Sequence, residues 1–439
     1  MKILLVSPTA MDSRGRPIKQ RTVHLPALTL PMLAAVTPPD ADLRLCCETA
    51  EQIPFDEPWD LVGLTGMGSG IVRAWQIADE FKRRGRTVVI GGIAATLGDP
   101  EWSLAHADAV VLGEAEEVWP TVVQDAAAGR LQSVYRMQRE PPIDQLPLPR
   151  YDLLNAAVYG AWRPVQATRG CPFTCTFCSI TAFFQQHYRK RPVDQVVRDV
   201  RAAKRQGTRY IAFIDDNIGV DWEYCAKLWT ALIPERIIWM SQCSLHIADR
   251  ADMLELAHRS GCRLLSFGIE STNAESLAGI DKEWNRPGRY RDAVRRIRAH
   301  GIDVSTEMII GLDGDNGSVF QRTYDFLMDN AISVPRVHIL TPIPGTPLFT
   351  QLKDEGRIVS EEFDRYTGGH VVFRPKHLDA AELEAGYWKL YERLFSWPAI
   401  VRRVAPNPAS LRGYMRAIVL GVNLHYRRHI HNRICPGIV

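Results

Sequence analysis

Three cysteines, Cys171, Cys175 and Cys178, fall within the run TRGCPFTCTFCSI at residues 168–180, spaced C-x3-C-x2-C. Thiolates are soft ligands that suit zinc or iron–sulfur clusters. Zinc asks for a fourth ligand close by, and His187, nine residues past Cys178, lies outside the usual spacing. A thioredoxin-like pair at Cys175 and Cys178 leaves Cys171 without a role. A cubane 4Fe-4S cluster normally takes four thiolates, so three from one loop leave one iron open to a small chelating molecule. The odd number is then the chemical point, because an open iron turns an electron carrier into a catalytic centre. The other six, Cys46, Cys47, Cys225, Cys243, Cys262 and Cys435, stand singly or in apolar contexts and read mostly as buried, inert thiols. Nine cysteines scattered over 439 residues point to a reducing compartment and a cytoplasmic protein.

The loop must be held by a scaffold, and the hydrophobic periodicity supplies one. Between residues 161 and 350, strands are expected at RPVQATRG, YIAFIDDN, IIWMSQCS, LLSFGIES, DVSTEMIIGL and VPRVHILTPIPG, with amphipathic helices such as VDQVVRDVRAAKRQG between them. Six βα units describe a partial barrel of the α/β class, with its chemistry at the carboxyl ends of the strands. The cysteines follow the first of those strands. Residues 1–130 form another alternating series, read as a parallel sheet with right-handed crossovers. Thr65, Gly91, Gly92, Gly113 and Glu114 close three of its strands. They make tight strand-to-helix turns or wall a ligand at the strand ends. Residues 131–160, rich in proline, read as an ordered linker, and 351–439 as a mainly helical region.

Net charge is only +3, which gives no field for nucleic acid. No window of 18 apolar residues predicts a spanning helix, and MKILLVSPTA reads as a first strand rather than a secretory signal. Arginines crowd the last 45 residues (Arg402, Arg403, Arg412, Arg416, Arg427, Arg428, Arg433). They describe either a helical cap on the barrel or a peripheral contact with an anionic membrane. His425, His429 and His431 are assigned no metal. Tyr366, Phe373, Trp388 and Tyr391 read as core or as the lining of a bulky apolar pocket.

The pattern C-x3-C-x-aromatic-C, with Phe177 before the third cysteine, resembles the radical S-adenosylmethionine (SAM) superfamily. FIDDNIG, LSFGIES, EMIIGLDGD and LTPIPGTPLF follow in the order of its subgroup with an amino-terminal cobalamin-binding domain, as do GGIAAT and ADAVVLGEAEEVWP before them. The resemblance spans about residues 1–375. It implies a Rossmann-like cobalamin domain, a 4Fe-4S cluster on Cys171, Cys175 and Cys178, and SAM chelating the fourth iron. Reductive cleavage would give a 5′-deoxyadenosyl radical that removes a substrate hydrogen, with an external donor such as flavodoxin or ferredoxin supplying the electron.

Residue by residue, the resemblance sets Phe177 near the adenine, or in loop packing. Asp216 would meet the methionine amine, or serve the turn. Glu270 would meet the ribose hydroxyls or the amine. Gly311 and Gly345 would let backbone reach the adenine edge. Thr65, Gly91, Gly92, Gly113 and Glu114 would wall the cobalamin, with residues 24–38 against its face or in the core. Two departures stand out: no D-x-H-x-x-G loop is present, and Ala94 sits where relatives often carry histidine. The architecture implies methylation of an unactivated carbon in a small-molecule, lipid or tetrapyrrole substrate. The alternative is a non-methylating radical reaction (cyclisation, oxygenation, dehydration or deoxygenation) with a vestigial cobalamin domain. No catalytic side chain beyond the cofactor ligands is assigned.

Overall fold

A computed structural model describes residues 1–12, 14–23, 27–406 and 413–437. His24, Leu25 and Pro26 of the 24–38 stretch, and Arg412 of the basic tail, lie outside the described residues. The first six strands are β1 (Lys2–Ser7), β2 (Asp42–Cys47), β3 (Leu61–Thr65), β4 (Thr87–Gly91), β5 (Ala109–Leu112) and β6 (Val134–Arg136). They form one parallel sheet in the order β2-β1-β3-β4-β5-β6. The run of apolar residues in β1 follows from burial on both faces. Ile3 and Leu5 join the core under the helix Thr29–Val36 and Trp119, whereas Leu4 and Val6 face the helix Gly70–Arg83 through Ile71, Ala74, Ile77 and Phe81. The helix Thr29–Val36 buries Leu30, Met32 and Ala34, and Trp119 Nε1 donates to Thr37 Oγ1 at 2.9 Å behind it.

Residues 131–160, expected to be linker throughout, contribute β6, which pairs with β5. Three residues flanked by irregular chain are too few to show a period. The remainder of that stretch is ordered by contacts at both ends, with Arg150 N donating to Pro31 O at 3.0 Å and Tyr151 OH to Pro164 O at 2.8 Å.

The second series comprises β7 (Trp162–Val165), β8 (Thr168–Arg169), β9 (Arg189–Lys190), β10 (Tyr210–Phe213), β11 (Ile238–Gln242), β12 (Cys262–Glu270), β13 (Asp303–Ile310) and β14 (Val334–Ile339). Six of them make an open parallel sheet, β14-β13-β12-β11-β10-β7, and β8 pairs antiparallel with β9. All six expected barrel strands are present, and the first expected run divides into β7 and β8.

The helices Ala380–Leu394, Trp397–Val404 and Tyr414–His431 close the other end. Met415 packs on Trp162 and Ala212, with Tyr210 and Ile238 beside them, where β7, β10 and β11 begin. Several tail arginines serve this packing. Arg403 is fully buried and donates to Ile332 O at 2.9 Å, Leu394 O at 2.7 Å and Asn423 Oδ1 at 3.2 Å; Arg427 donates to Phe395 O at 2.7 Å. Among the described residues no helix is long and apolar enough to cross a membrane.

Replacing Arg403 with leucine would strand those carbonyls in a dry interior. The expected loss is about 3 kcal/mol of stability, read as a lowered urea midpoint. An unchanged midpoint would show that the helical cap does not hang on this side chain.

Candidate active site

Cys171, Cys175 and Cys178 lie in the loop after β8, and Cys178 caps the helix Ser179–Phe184. Gly170 must be glycine: its φ is +78°, and a Cβ would stand 1.9 Å from His187 O. Two acids anchor the loop root. Asp215 accepts from Thr168 N at 2.5 Å, Thr168 Oγ1 at 2.6 Å and Ala167 N at 3.2 Å. Asp216 accepts from Gly170 N at 3.1 Å. Burial pushes Asp216 up to about 6 against the pull of that hydrogen bond and of Arg169. One of its oxygens is therefore already engaged by the loop.

Burial raises the Cys171 thiol and pushes Cys175 up to about 12, although Lys282 pulls Cys175 down. Among the described residues no three His, Cys, Asp or Glu side chains gather as a cage for a single ion. A cubane gives each thiolate its own iron, so the donor set of three thiols on one loop fits a cluster better than a lone cation. Thr176 Oγ1 in the loop and Trp284 Nε1, from a ring stacked on Phe173 at 4.3 Å, are buried without a hydrogen-bond partner.

Glu270 ends β12 with φ +60°, a backbone region that costs a non-glycine residue strain. Its Oε1 accepts from Lys282 Nζ at 2.7 Å, and both side chains are more than nine-tenths buried. A Cβ on Gly268 would meet Glu270 Oε1 at 2.4 Å and Lys282 Nζ at 2.8 Å, so the glycine of GIES makes room for the pair. Burial disfavours the Lys282 ammonium, yet Glu270 and Cys175, with Cys178, hold it above the ordinary lysine value. Lys282 also stands 5.8 Å from the Phe177 ring. Sequence reasoning missed this lysine; only its place twelve residues after Glu270, in an irregular segment, could have marked it. Gly311 backs onto Leu383 of the carboxyl-terminal helices, and Gly345 abuts Leu97 of the first domain.

The strand ends of the first sheet face this site. Glu114, expected as cofactor wall, is bonded to Arg169 at 3.1 Å and to Arg189 at 2.6 and 2.8 Å, and Glu116 meets Arg169 at 2.5 Å. Burial works against the Arg169 charge, and Glu116 and Glu114 outweigh it. Thr65 and Gly91 end β3 and β4, and Gly92 and Gly113 follow strand ends with positive φ. Their missing side chains make room for the protein's own atoms: a Cβ on Gly92 would lie 2.7 Å from Gly66 O, and one on Gly113 2.7 Å from Met137 Cβ. The surface is open one step farther on. Met67 is 74% exposed, and a Cβ on Gly68 or Gly70 would meet nothing, which leaves an apolar, open rim at the end of β3. The six other cysteines are buried, as expected. His429 is pushed down to about 4 by burial, with the charges of His425 and Arg428 adding to it.

A sequence profile of the radical SAM superfamily matches residues 165–327. The chain is similar to a bacteriochlorophyllide d C-12(1)-methyltransferase of Chlorobaculum tepidum, 33% identical, covering 93% of this chain and 90% of that protein. A bacteriochlorophyllide d C-8(2)-methyltransferase of the same organism is 28% identical over 92% and 91%. Among solved structures, the radical SAM methyltransferase TsrM of Kitasatospora setae, with cobalamin and a [4Fe-4S] cluster bound, superposes with a TM-score of 0.69 at 16% identity. That superposition covers 98% of this chain and 99% of TsrM.

The Glu270–Lys282 pair yields a test of its own. Lys282→Met leaves a buried carboxylate unpaired and should cost about 3–5 kcal/mol, whereas adding Glu270→Gln should recover most of it. Equal melting temperatures for the single and double variants would remove the pair from the site's framework.

Proposed function

The chain belongs to the radical SAM superfamily, and we propose that it is a cobalamin-dependent C-methyltransferase acting on a small chlorin-type tetrapyrrole. The observation that carries this reading is the 33% identity, over 93% of the chain, to an enzyme named for methylating bacteriochlorophyllide d. The opposed strand ends of two parallel sheets, joined by Glu114 and Arg169, support it, because a methyl donor and a radical source must flank one substrate.

When bound, the cluster with SAM supplies a carbon-centred radical and cobalamin supplies a methyl group. Cys171, Cys175 and Cys178 would hold the cluster. Their thiols must lose protons to do so, and the Lys282 ammonium beside Cys175 offsets the charge that results. Glu270 has its Oε1 fixed by Lys282, while Oε2 carries no hydrogen bond among the described residues. That oxygen is the acceptor offered to the ribose hydroxyls or the methionine amine, with Asp216, Phe177, Gly311 and Gly345 completing the SAM pocket. Thr65, Gly91, Gly92 and Gly113 shape the rim for the corrin, and Ala94 provides no imidazole there. Cleavage consumes an electron, so a donor of the flavodoxin or ferredoxin type belongs to this reading.

The test is anaerobic reconstitution with iron, sulfide and hydroxocobalamin, followed by iron and cobalt analysis and incubation with bacteriochlorophyllide d. Stoichiometric cobalt, 5′-deoxyadenosine and a pigment heavier by one CH2 are expected. Iron without cobalt would shift the protein to the non-methylating class. Serine at any one of the three cysteines should abolish 5′-deoxyadenosine formation; activity retained in Cys175→Ser would overturn the cluster assignment.

A cytoplasmic location, with peripheral contact to an anionic membrane through the basic carboxyl-terminal tail, is a further part of this proposal. Trp397 and Val401, 55% and 60% exposed, and Leu420 and Leu424 lie on the last two helices. Trp397→Asp with Val401→Asp should weaken sedimentation with anionic liposomes, and unchanged sedimentation would end that idea.

A further inference from the structure

Between Arg286 and Arg298 the chain carries six arginines and one acid, Asp292. After β12 this segment makes a short helical turn, Pro287–Arg289, and the helix Tyr290–Ala299. The helix buries Tyr290, Ala293, Val294 and Ile297 and leaves Arg291, Arg295 and Arg296 exposed. With the turn after β11 it walls a shallow hollow of about 40 Å3, whose lining includes His246, Asp249, Trp284, Arg286, Arg289 and Arg296. Neither the first domain nor the carboxyl-terminal helices line it.

The hollow opens beside the cysteine loop. Phe173, between Cys171 and Cys175, stacks on Trp284 at 4.3 Å, and His246 lies 5.4 Å from the Trp284 ring. Pro172 and Thr174, on either side of Phe173, are exposed, as is His246. Behind Trp284 stands the buried Lys282, whose ammonium is 5.1 Å from the ring and feels the charges of Cys175 and Cys178. Three rings thus lead from the cysteine loop to solvent.

The rim is cationic. Asp249 accepts from Arg289 at 2.6 Å and from Arg296 at 3.2 Å, so the lining sets one carboxylate against three guanidiniums. The exposed Arg286 guanidinium has no partner among the described residues. Nearby, Arg250 and Asp252 neutralise each other at 2.7 Å, and Asp281 and Glu283 are exposed on either side of Lys282. A cluster on this loop takes its electron from outside. Tunnelling fades steeply with distance, so the donor must dock where the loop reaches the surface. Transient redox complexes need only a small interface, and a charged rim steers the partner and fixes its orientation. We propose that Arg286, Arg289 and Arg296, around Trp284 and His246, form the docking surface for an acidic flavodoxin, an inference that rests on the cluster assignment above. Carboxylates around the carrier's flavin would meet the arginines, and the flat apolar edge of the flavin would face the rings. The transfer moves one electron, which oxidises the flavin hydroquinone to the semiquinone and reduces the cluster, and no covalent bond is made or broken.

The experiment mixes the full-length, cluster-loaded protein with flavodoxin hydroquinone in a stopped-flow spectrometer and follows bleaching of the cluster. It is repeated with dithionite, a small reductant that needs no docking, and binding of oxidised flavodoxin is measured by calorimetry. Arg286→Glu with Arg289→Glu should lower both the second-order rate constant with flavodoxin and the affinity at least about tenfold, while the dithionite rate stays as it was. Arg286→Lys with Arg289→Lys should keep most of both, and added salt should slow the native protein toward the glutamate variant. An unchanged flavodoxin rate in the glutamate variant would overturn the inference. So would an equal loss with dithionite, which would assign the arginines to holding the cysteine loop. A ferredoxin of equal charge that reduces the cluster faster than flavodoxin would overturn the choice of a flavin carrier. No readout uses the pigment, so failed docking and failed methyl transfer are told apart; a native protein without a reducible cluster would overturn both readings.

Discussion

Arg169 carries the structural logic of this molecule. It lies in β8 two residues before Cys171, it is buried, and its guanidinium reaches across the domain boundary to Glu114 and Glu116 at the end of β5. Arg189, paired with Arg169 across the β8–β9 ribbon, binds the same Glu114. A buried ion pair contributes little net stability, because desolvation cancels most of the attraction. Its effect is on register: each partner is costly unless the other is in place, so the two sheets have one good alignment. The cysteine loop hangs from that alignment. Placing any cluster therefore depends on the first domain being folded and docked, not on the barrel alone.

The same economy of position explains the strand ends. Gly170 and Glu270 sit where the backbone leaves a strand, and Gly268 lies two residues before the end of β12. His187 O excludes a side chain at Gly170, and the Glu270–Lys282 pair excludes one at Gly268. Glu270 itself holds a positive φ at a register shift between β12 and β13. The strain turns a carboxylate that would continue the sheet into one that faces the loop. Lys282 then links that carboxylate to the thiols, so three separate segments share one electrostatic unit.

Much of this was legible in the sequence, and the reasons divide by range. The six barrel strands and five of the first sheet's strands show as local runs of apolar residues, and the cysteines declare themselves by spacing. β6 was hidden because three residues in a proline-rich stretch carry no period. Glu114 was recognised as a strand-end acid, but its ion pairs with Arg169 and Arg189, 55 and 75 residues away, have no signal in the sequence. Lys282 has no motif, and its pairing with Glu270 is made by a turn that sequence patterns do not encode. Of the two readings of the tail arginines, a helical cap or a membrane contact, the packing of two of them matches the cap. Arg403 and Arg427 end on buried or half-buried carbonyls.

That packing also fixes the frame around β14. The helix Ala380–Leu394 carries Tyr387 and Tyr391 on the barrel side. Tyr391 OH donates to Val337 O at 2.7 Å and accepts from Val337 N at 2.8 Å, which ties this helix to β14. Tyr387 OH meets Cys435 Sγ at 3.1 Å, and Cys435 in turn meets His338. Burial lowers His338, but Cys435 and Glu307 outweigh it and hold the imidazole up to about 10. The Glu307–His338 contact joins β13 to β14. A helix fixed at two points to the strand beneath it cannot tilt without breaking buried hydrogen bonds. The helix Ala380–Leu394 is thus held rigidly against β14.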